Sequence, residues 1–446
     1  MSRIAAIAAI AATLPGHDPS AMHVDVALAF LDRLVAQPAA LASRELPLRD
    51  ALDRVLADDV VAPVDVPPHD NSAMDGYAFD GAVLAEAASA DGPTLRLRVA
   101  AGTALAGGVR GVEVAAGEAV RIMTGAMMPA GLDTVVPQEL CHVADGGVSF
   151  PRAALVRGAN RRRAGEDLRA GQPVLRAGDR LTPAALGLAA SIGRATLPVL
   201  DRLRVAYFST GDELLGPGEV PRMGAIYDSN RAAMGGLLAR LGCEVVDLGP
   251  VPDAPVALEA ALRRGAREAD AIVTTGGVSA GDADHTRRVM RELGDVAFWS
   301  LAIRPGRPMA VGSIAAPAAT PGAPDREVLL VGLPGNPVAA MVAFLVFVRP
   351  VLRKLMGCNE AARRPPPLLR ARLAAPLRKR AGRTEFPRGF VESMPGEWPR
   401  VRLADHQGSG VLSSMASANA LVVLGPETET VAAGELVDVM MFDGAI

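Results

Sequence analysis

From about residue 199 to 357, strand-like and helix-like stretches alternate, and this alternation constrains the fold more than any other feature. RVAYFS reads as a strand and SNRAAMGGLLARLG as a helix, with Met234, Leu237, Leu238 and Leu241 at i, i+3, i+4 and i+7. CEVVDLG, DAIVTT, VAFWSLAI and EVLLVGL are further strands. APVALEAALRRGAREA and DHTRRVMREL are helices, and Pro337 to Leu355 is a long buried one. Strands separated by helices of this length imply an α/β domain with a mainly parallel sheet.

In such sheets ligands bind beyond the carboxyl ends of the strands, which singles out three loops. TGDELLGPGE follows the first strand and carries Asp212 and Glu213. GGVSAGDADH follows DAIVTT, with Gly276, Gly277, Ser279, Gly281, Asp282 and Asp284. PGNP follows EVLLVGL, where Asn336 can cap and Pro337 can open the long helix. A glycine-rich turn from strand to helix suits a phosphate, although plain turn chemistry produces the same pattern. Bare carboxylates beside a phosphate would repel it. Mg²⁺ resolves that conflict, since it takes one or two carboxylates together with phosphate oxygens. Asp282 reads as a helix-dipole partner, whereas Glu213 and Asp284 read as metal-binding acids. RPGRP at 304–308 adds Arg304 and Arg307, suited to an oxyanion or simply to solvent.

The rest of the chain divides around this domain. Residues 1–60 and 151–198 are expected to form a discontinuous helical and linker part, with Thr182–Pro183 starting a helix and Gly193 ending it. Residues 61–150 are Gly-rich with short β-like runs, an inserted β subdomain. The α/β domain covers 199–357, RRPPP at 363–367 is a linker, and 363–446 suggests a small β-barrel or sandwich.

Composition excludes several function classes. A net charge of −3 gives no support to nucleic-acid binding. Cys141, Cys243 and Cys358 form no CxxC pair, which fits a reducing cytosol rather than a disulfide framework or zinc ribbon. The apolar run from Val338 to Val348 is too short for a bilayer span of about 20 residues, so no membrane is expected. The opening MSRIAAIAAIAATLPG reads as a helical or frayed extension rather than a signal peptide. No HxxxH, GxSxG, Walker A or convincing GxGxxG is present.

Motifs along the chain resemble the molybdopterin molybdenumtransferase family, which includes MoeA and the E domain of gephyrin. The matching stretches are DNSAMDGYAF (70–79), RIMTGAMMPAGLDTVVPQE (121–139), GANRRRAGEDL (158–168), STGDEL (209–214) and IYDSNR (226–231). They continue with TTGGVSAGDAD (274–284), RPGRPMAVG (304–312), LPGNPVAAMVAF (333–344), GRTEFPR (382–388) and QGSGVLSSMASANAL (407–421). The resemblance implies an elongated subunit: a helical part, an inserted β part, a MogA-like α/β domain and a C-terminal β-barrel. It also implies a cytoplasmic homodimer whose active site lies between the α/β and barrel parts of one subunit and the inserted β part of the other. The implied reaction is Mg²⁺-dependent insertion of molybdate into adenylylated molybdopterin, releasing AMP and molybdenum cofactor. The adenylyltransferase that makes this substrate is an implied partner.

By motif matching, Asp284, Glu213, Asp253 and Asp70 correspond to essential acids, with Asp284 and Glu213 on the metal. Substrate contacts are implied for Gly276, Gly277, Ser279, Asn230, Thr124, Asp167, Pro334, Gly335 and Asn336. Arg304 and Arg307 would hold molybdate, and Arg388 and Ser409 would be the barrel's share. The family's usual lysines are replaced here by Ser300, Arg304 and Arg307, and its GEADY by GDADH ending in His285. Other readings the sequence leaves open are a gephyrin-like scaffold and a relative that uses tungstate or hydrolyses the nucleotide product.

Overall fold

The computed structural model describes residues 4–86, 93–108, 112–278, 284–317, 326–393 and 395–442. At its centre lies a six-stranded sheet. Its strands are β1 (Arg204–Thr210), β2 (Glu244–Val251), β3 (Ala271–Thr275), β4 (Val296–Ser300), β5 (Pro308–Ala316) and β6 (Arg326–Leu333). The spatial order is β2-β1-β3-β6-β5-β4. The first four strands of that order are parallel, and β5 and β4 close the far edge as an antiparallel pair. The sheet is thus mainly parallel, as the alternation predicts. Strand β5 was hidden in the sequence because it follows RPGRP directly, with no helix between it and β4.

Side chains alternate across the sheet with the two-residue strand period. Val205, Tyr207, Val273 and Val331 face one core, whereas Ala206, Phe208, Ile272 and Leu330 face the other. Helix α1 (Ser229–Leu241) covers the first face with Met234, Leu237, Leu238 and Leu241. Helix α2 (Pro255–Glu268) and helix α3 (Asp284–Leu293) cover the second, through Leu258, Leu262, Val289 and Met290. Both faces are therefore dry, which is why these strands read as continuous apolar runs. Helix α4 (Pro337–Ala343) passes through a π-helical turn at Phe344–Val348 into α5 (Arg349–Leu355), all on the first face. Burial of Phe344 and Phe347 there stabilises the fold by about 1.5–3 kcal/mol each.

The chain opens with helices Ile7–Thr13 and Val24–Leu34, which dock onto the first face through Ile10, Phe30, Leu31 and Leu34. Strand Ser43–Pro47 pairs antiparallel with Thr196–Leu200. The intervening chain carries the six-stranded sheet of the inserted part, which includes Gly76–Phe79, Thr94–Ala104, Glu118–Ile122 and Thr134–Pro137. Thr182 caps helix Pro183–Ser191 by accepting from the Ala185 N–H at 3.2 Å. The C-terminal region closes a five-stranded barrel of Leu369–Leu373, Arg400–Leu403, Arg388–Glu392, Ala420–Val423 and Leu436–Met441. Among the described residues no helix is long and apolar enough to cross a membrane.

Candidate active site

The carboxyl ends of β1, β3 and β6 open onto a cavity of about 540 Å³. Its floor is the turn after β3. Gly276 and Gly277 have φ of +89° and +66°, a region L side chains seldom enter. A Cβ on Gly276 would stand 2.5 Å from the Thr210 carbonyl oxygen and 2.7 Å from its hydroxyl, so only glycine lets the backbone pass this close.

One wall is a hydrogen-bonded chain that sequence inspection missed. The Tyr207 hydroxyl lies 2.8 Å from Ser209 Oγ and 2.7 Å from Thr275 Oγ1. Ser209 Oγ donates to Asp228 Oδ1 at 3.0 Å. Asp228 is also the N-cap of α1, accepting from the Arg231 N–H on the same oxygen at 3.0 Å. Burial, outweighing its hydroxyl partners, pushes the Tyr207 phenol well above its ordinary range, so it stays a neutral link in the chain.

Asp228 is only 3% exposed, and its second oxygen, Oδ2, has no partner. Asn230 Oδ1 and Thr210 Oγ1 are likewise buried and unpartnered. All three residues line the cavity. A buried polar atom left unpaired costs about 1–3 kcal/mol, so three beside one cavity point to a ligand or water that satisfies them. The signal for Asp228 was present in IYDSNR, an acid directly before a helical Ser-Asn pair, as an N-cap demands.

Of the residues expected from the sequence, Glu213, Asp253, Asn230, Gly276, Gly277, Pro334, Gly335 and Asn336 all line this cavity. Asn230 Nδ2 donates to the Gly335 carbonyl at 2.6 Å, and the Asp253 N–H donates to Asp212 Oδ1 at 3.1 Å. Asn336 occupies the N-cap position of α4, but its side chain makes no capping bond, which corrects the capping expectation. Ser279 and Asp282 lie outside the described residues. Asp284 opens α3 through its backbone, and its side chain is outside the described set.

The barrel reaches the same end of the sheet. The Val338 N–H, in the first turn of α4, donates to the Ser409 carbonyl at 3.1 Å. Arg388 is 1% exposed and donates to Ser414 Oγ, the His406 carbonyl and the Gly408 carbonyl at 3.0–3.1 Å. Its guanidinium therefore holds the QGSG loop in place. Arg304 is half exposed, with Glu385 at 3.8 Å, and Arg307 approaches Ser300 Oγ at 3.5 Å. Neither lines the cavity, although Pro308 beside them does.

Three more expected residues do not line the cavity: Asp70 and Thr124 in the inserted part and Asp167 in the segment after it. Asp70 accepts from the Ala164 N–H at 2.8 Å with Arg161 at 3.5 Å. Thr124 donates its hydroxyl to Asp75 Oδ1 at 2.6 Å, and with its N–H at 2.7 Å holds the Asp75 carboxyl below its ordinary range. The Asp167 N–H donates to the Val66 carbonyl.

Among the described residues no three His, Cys, Asp or Glu side chains gather as a ready-made metal cage. Of the two expected metal acids, Glu213 lines the cavity, which fits the sparser demand of Mg²⁺ for one or two carboxylates with water and phosphate oxygens, while the Asp284 side chain is outside the described set.

Family models match the chain in three consecutive blocks. The MoeA N-terminal region (domain I and II) covers residues 22–193, a probable molybdopterin binding domain covers 206–354, and the MoeA C-terminal region (domain IV) covers 370–442. The chain belongs to the MoeA family. A molybdopterin molybdenumtransferase of Haemophilus influenzae is 39% identical over 399 residues, covering 89% of this chain and 93% of that one. Molybdopterin molybdenumtransferase 2 of Mycobacterium tuberculosis is 39% identical over 398 residues, 87% and 92% of the two chains. The crystal structure of the MoeA protein of Pyrococcus horikoshii superimposes with a TM-score of 0.75 at 26% identity, covering 95% of this chain and all of that one. As a MoeA-family chain it is a transferase of molybdenum cofactor biosynthesis. Within the MoeA architecture the cavity lies in the molybdopterin-binding block, with the domain IV loop around Ser409 at its rim.

Proposed function

We propose that this chain inserts molybdate into adenylylated molybdopterin, releasing AMP and leaving molybdenum cofactor. The observation that carries the reading is the convergence of Glu213, Asp253 and the Gly276–Gly277 turn on one cavity whose buried polar atoms lack partners. The glycine turns bring backbone close to the phosphates, while Asn230, Asp228 and Thr210 supply hydrogen bonds to the heterocyclic or ribose part. Glu213 and Asp284 would hold Mg²⁺, which when bound neutralises charge on the pyrophosphate. Arg304 and Arg307 would hold molybdate as planar forked donors in place of the usual lysines. Arg388 acts indirectly, by fixing the loop that brings Ser409 to the site.

The chain is proposed to work in the cytoplasm as a homodimer, with Asp70 and Thr124 of the inserted part and Asp167 of the segment after it facing the partner's cavity. Their absence from this subunit's own cavity favours that arrangement.

The test is to combine the purified protein with adenylylated molybdopterin, Mg²⁺ and molybdate, and to follow AMP. Molybdate-dependent AMP release that disappears with EDTA and in Asp284→Ala is the expected result. Release indifferent to molybdate would overturn the insertase reading, and a parallel arm with tungstate separates the two oxyanions.

A further inference from the structure

A second cluster, away from this cavity, has chemistry that the transferase reading leaves unused. Arg349 and Arg353 stand four residues apart on α5, where like charges repel. Arg349 is 8% exposed, and Arg353 Nε is buried without a hydrogen-bond partner. Arg180 and Arg240 join them around a small, partly open pocket also lined by Leu237, Leu241 and Phe344. Burial first, then Arg353 and Arg180, pulls the Arg349 guanidinium down to about 10. Burial and Arg180 lower Arg353 in the same direction.

Negative charge nearby is scarce. Asp53 pairs with Arg180 at 3.2 Å, and Asp32 is taken by Lys354 and Arg363 at 2.9 Å each. Four arginines thus line one pocket, and of them Arg180 alone has a carboxylate partner among the described residues, whereas Arg349 is buried. Buried charge without a counter-charge is strongly destabilising, and water satisfies donors without cancelling charge. The pocket has an open volume of about 10 Å³, room for a single sphere of water's size.

We infer that Arg180, Arg240, Arg349 and Arg353 form a binding site for one small inorganic anion of halide size. The anion would clamp three separate parts of the chain. Arg180 comes from the segment bridged to Val55, Arg240 from the last turn of α1, and Arg349 and Arg353 from α5. Its role is structural, joining the part that carries the inserted sheet to the α/β domain. Arg349 and Arg353 also border a larger apolar cavity of about 720 Å³, whereas Arg180 and Arg240 do not, so these two distinguish the sites.

The experiment is thermal unfolding of the full chain at constant ionic strength, with chloride, bromide, sulfate or bulky gluconate as the anion. Chloride and bromide should raise the midpoint by about 1.5 °C over gluconate at tenfold excess over the dissociation constant. Arg240→Gln, on an exposed helix end, should fold normally and lose that difference, and Arg349→Gln should lose it too. An anomalous bromide peak between the four guanidiniums would support the site directly. Equal midpoints in all salts, or a halide effect untouched by Arg240→Gln, would overturn the proposal. An excess of sulfate over chloride stabilisation that disappears in Arg240→Gln would refute the halide-sized occupant, since general salting-out by sulfate is the same in both proteins. None of these readouts involves AMP release, so the site stands or falls apart from the transferase reading.

Discussion

Asn230 donates from Nδ2 to the Gly335 carbonyl at 2.6 Å, a bond that ties the first turn of α1 to the loop after β6 across the cavity. Asn230 Oδ1 remains buried and without a partner. One side chain thus both braces the two strand-end loops and offers an acceptor. Asn230→Ala should cost about 1–3 kcal/mol of stability by orphaning the Gly335 carbonyl. It should also raise KM for the adenylylated substrate. Unfolding curves and steady-state kinetics check both effects, and an unchanged KM would assign Asn230 a purely structural role.

Gly276→Ala places a methyl 2.5 Å from the Thr210 carbonyl in a left-handed conformation. The strain alone should cost about 1–3 kcal/mol, and relief of the clash would have to move the cavity floor. Turnover should fall much further than in Gly107→Ala, where a Cβ meets nothing within 4 Å. Comparing the two variants separates the clash from the loss of backbone freedom.

Arg388→Lys keeps the charge but cannot supply donors to Ser414 Oγ, the His406 carbonyl and the Gly408 carbonyl together. The variant should lose about 2 kcal/mol or more and loosen the Gln407–Gly410 loop. Faster amide exchange at Ser409 and Gly410, with exchange in the central sheet unchanged, is the expected signature.

The Asp133 carboxyl holds the inserted part together by accepting from Arg157 Nε at 2.6 Å and from the Gly81 N–H and Thr134 Oγ1 at 2.8 Å. Burial raises its pKa, but these bonds outweigh that and leave it below the ordinary carboxylate value. A depressed folded value means the stabilisation is present above about pH 4 and is lost as pH falls towards the folded value. Asp133→Asn should therefore lower the unfolding midpoint at pH 7 and flatten its fall in acid. A mutant with the wild-type acid profile would remove Asp133 from that account.

A mixture of Asp70→Ala and Asp284→Ala subunits should regain one working site per mixed dimer, since each subunit supplies what its partner lacks. Activity in the mixture no greater than in either parent would rule out the cross-subunit assignment of Asp70.

The alternating strands and helices, the glycine turns after β3 and Glu213 in the same cavity were legible in the sequence. They depend on local periodicity and on φ values that only glycine readily adopts. Strand β5 was not, because antiparallel pairing at a sheet edge needs no helix to announce it. Asp228 was legible as an N-cap but not as a cavity residue, since its bond to Ser209 spans two elements brought together only by sheet order. The arginine cluster was invisible for the same reason. Arg180, Arg240 and Arg349 are far apart along the chain, and only packing brings them to one pocket and buries Arg349. By itself the sequence determined most strands and helices of the α/β domain but not β5, where the backbone turns, and which family the chain resembles. The tertiary structure decided which acids and amides share a cavity and which charges are left unpaired, because burial and distance are properties of packing rather than of local chain preference.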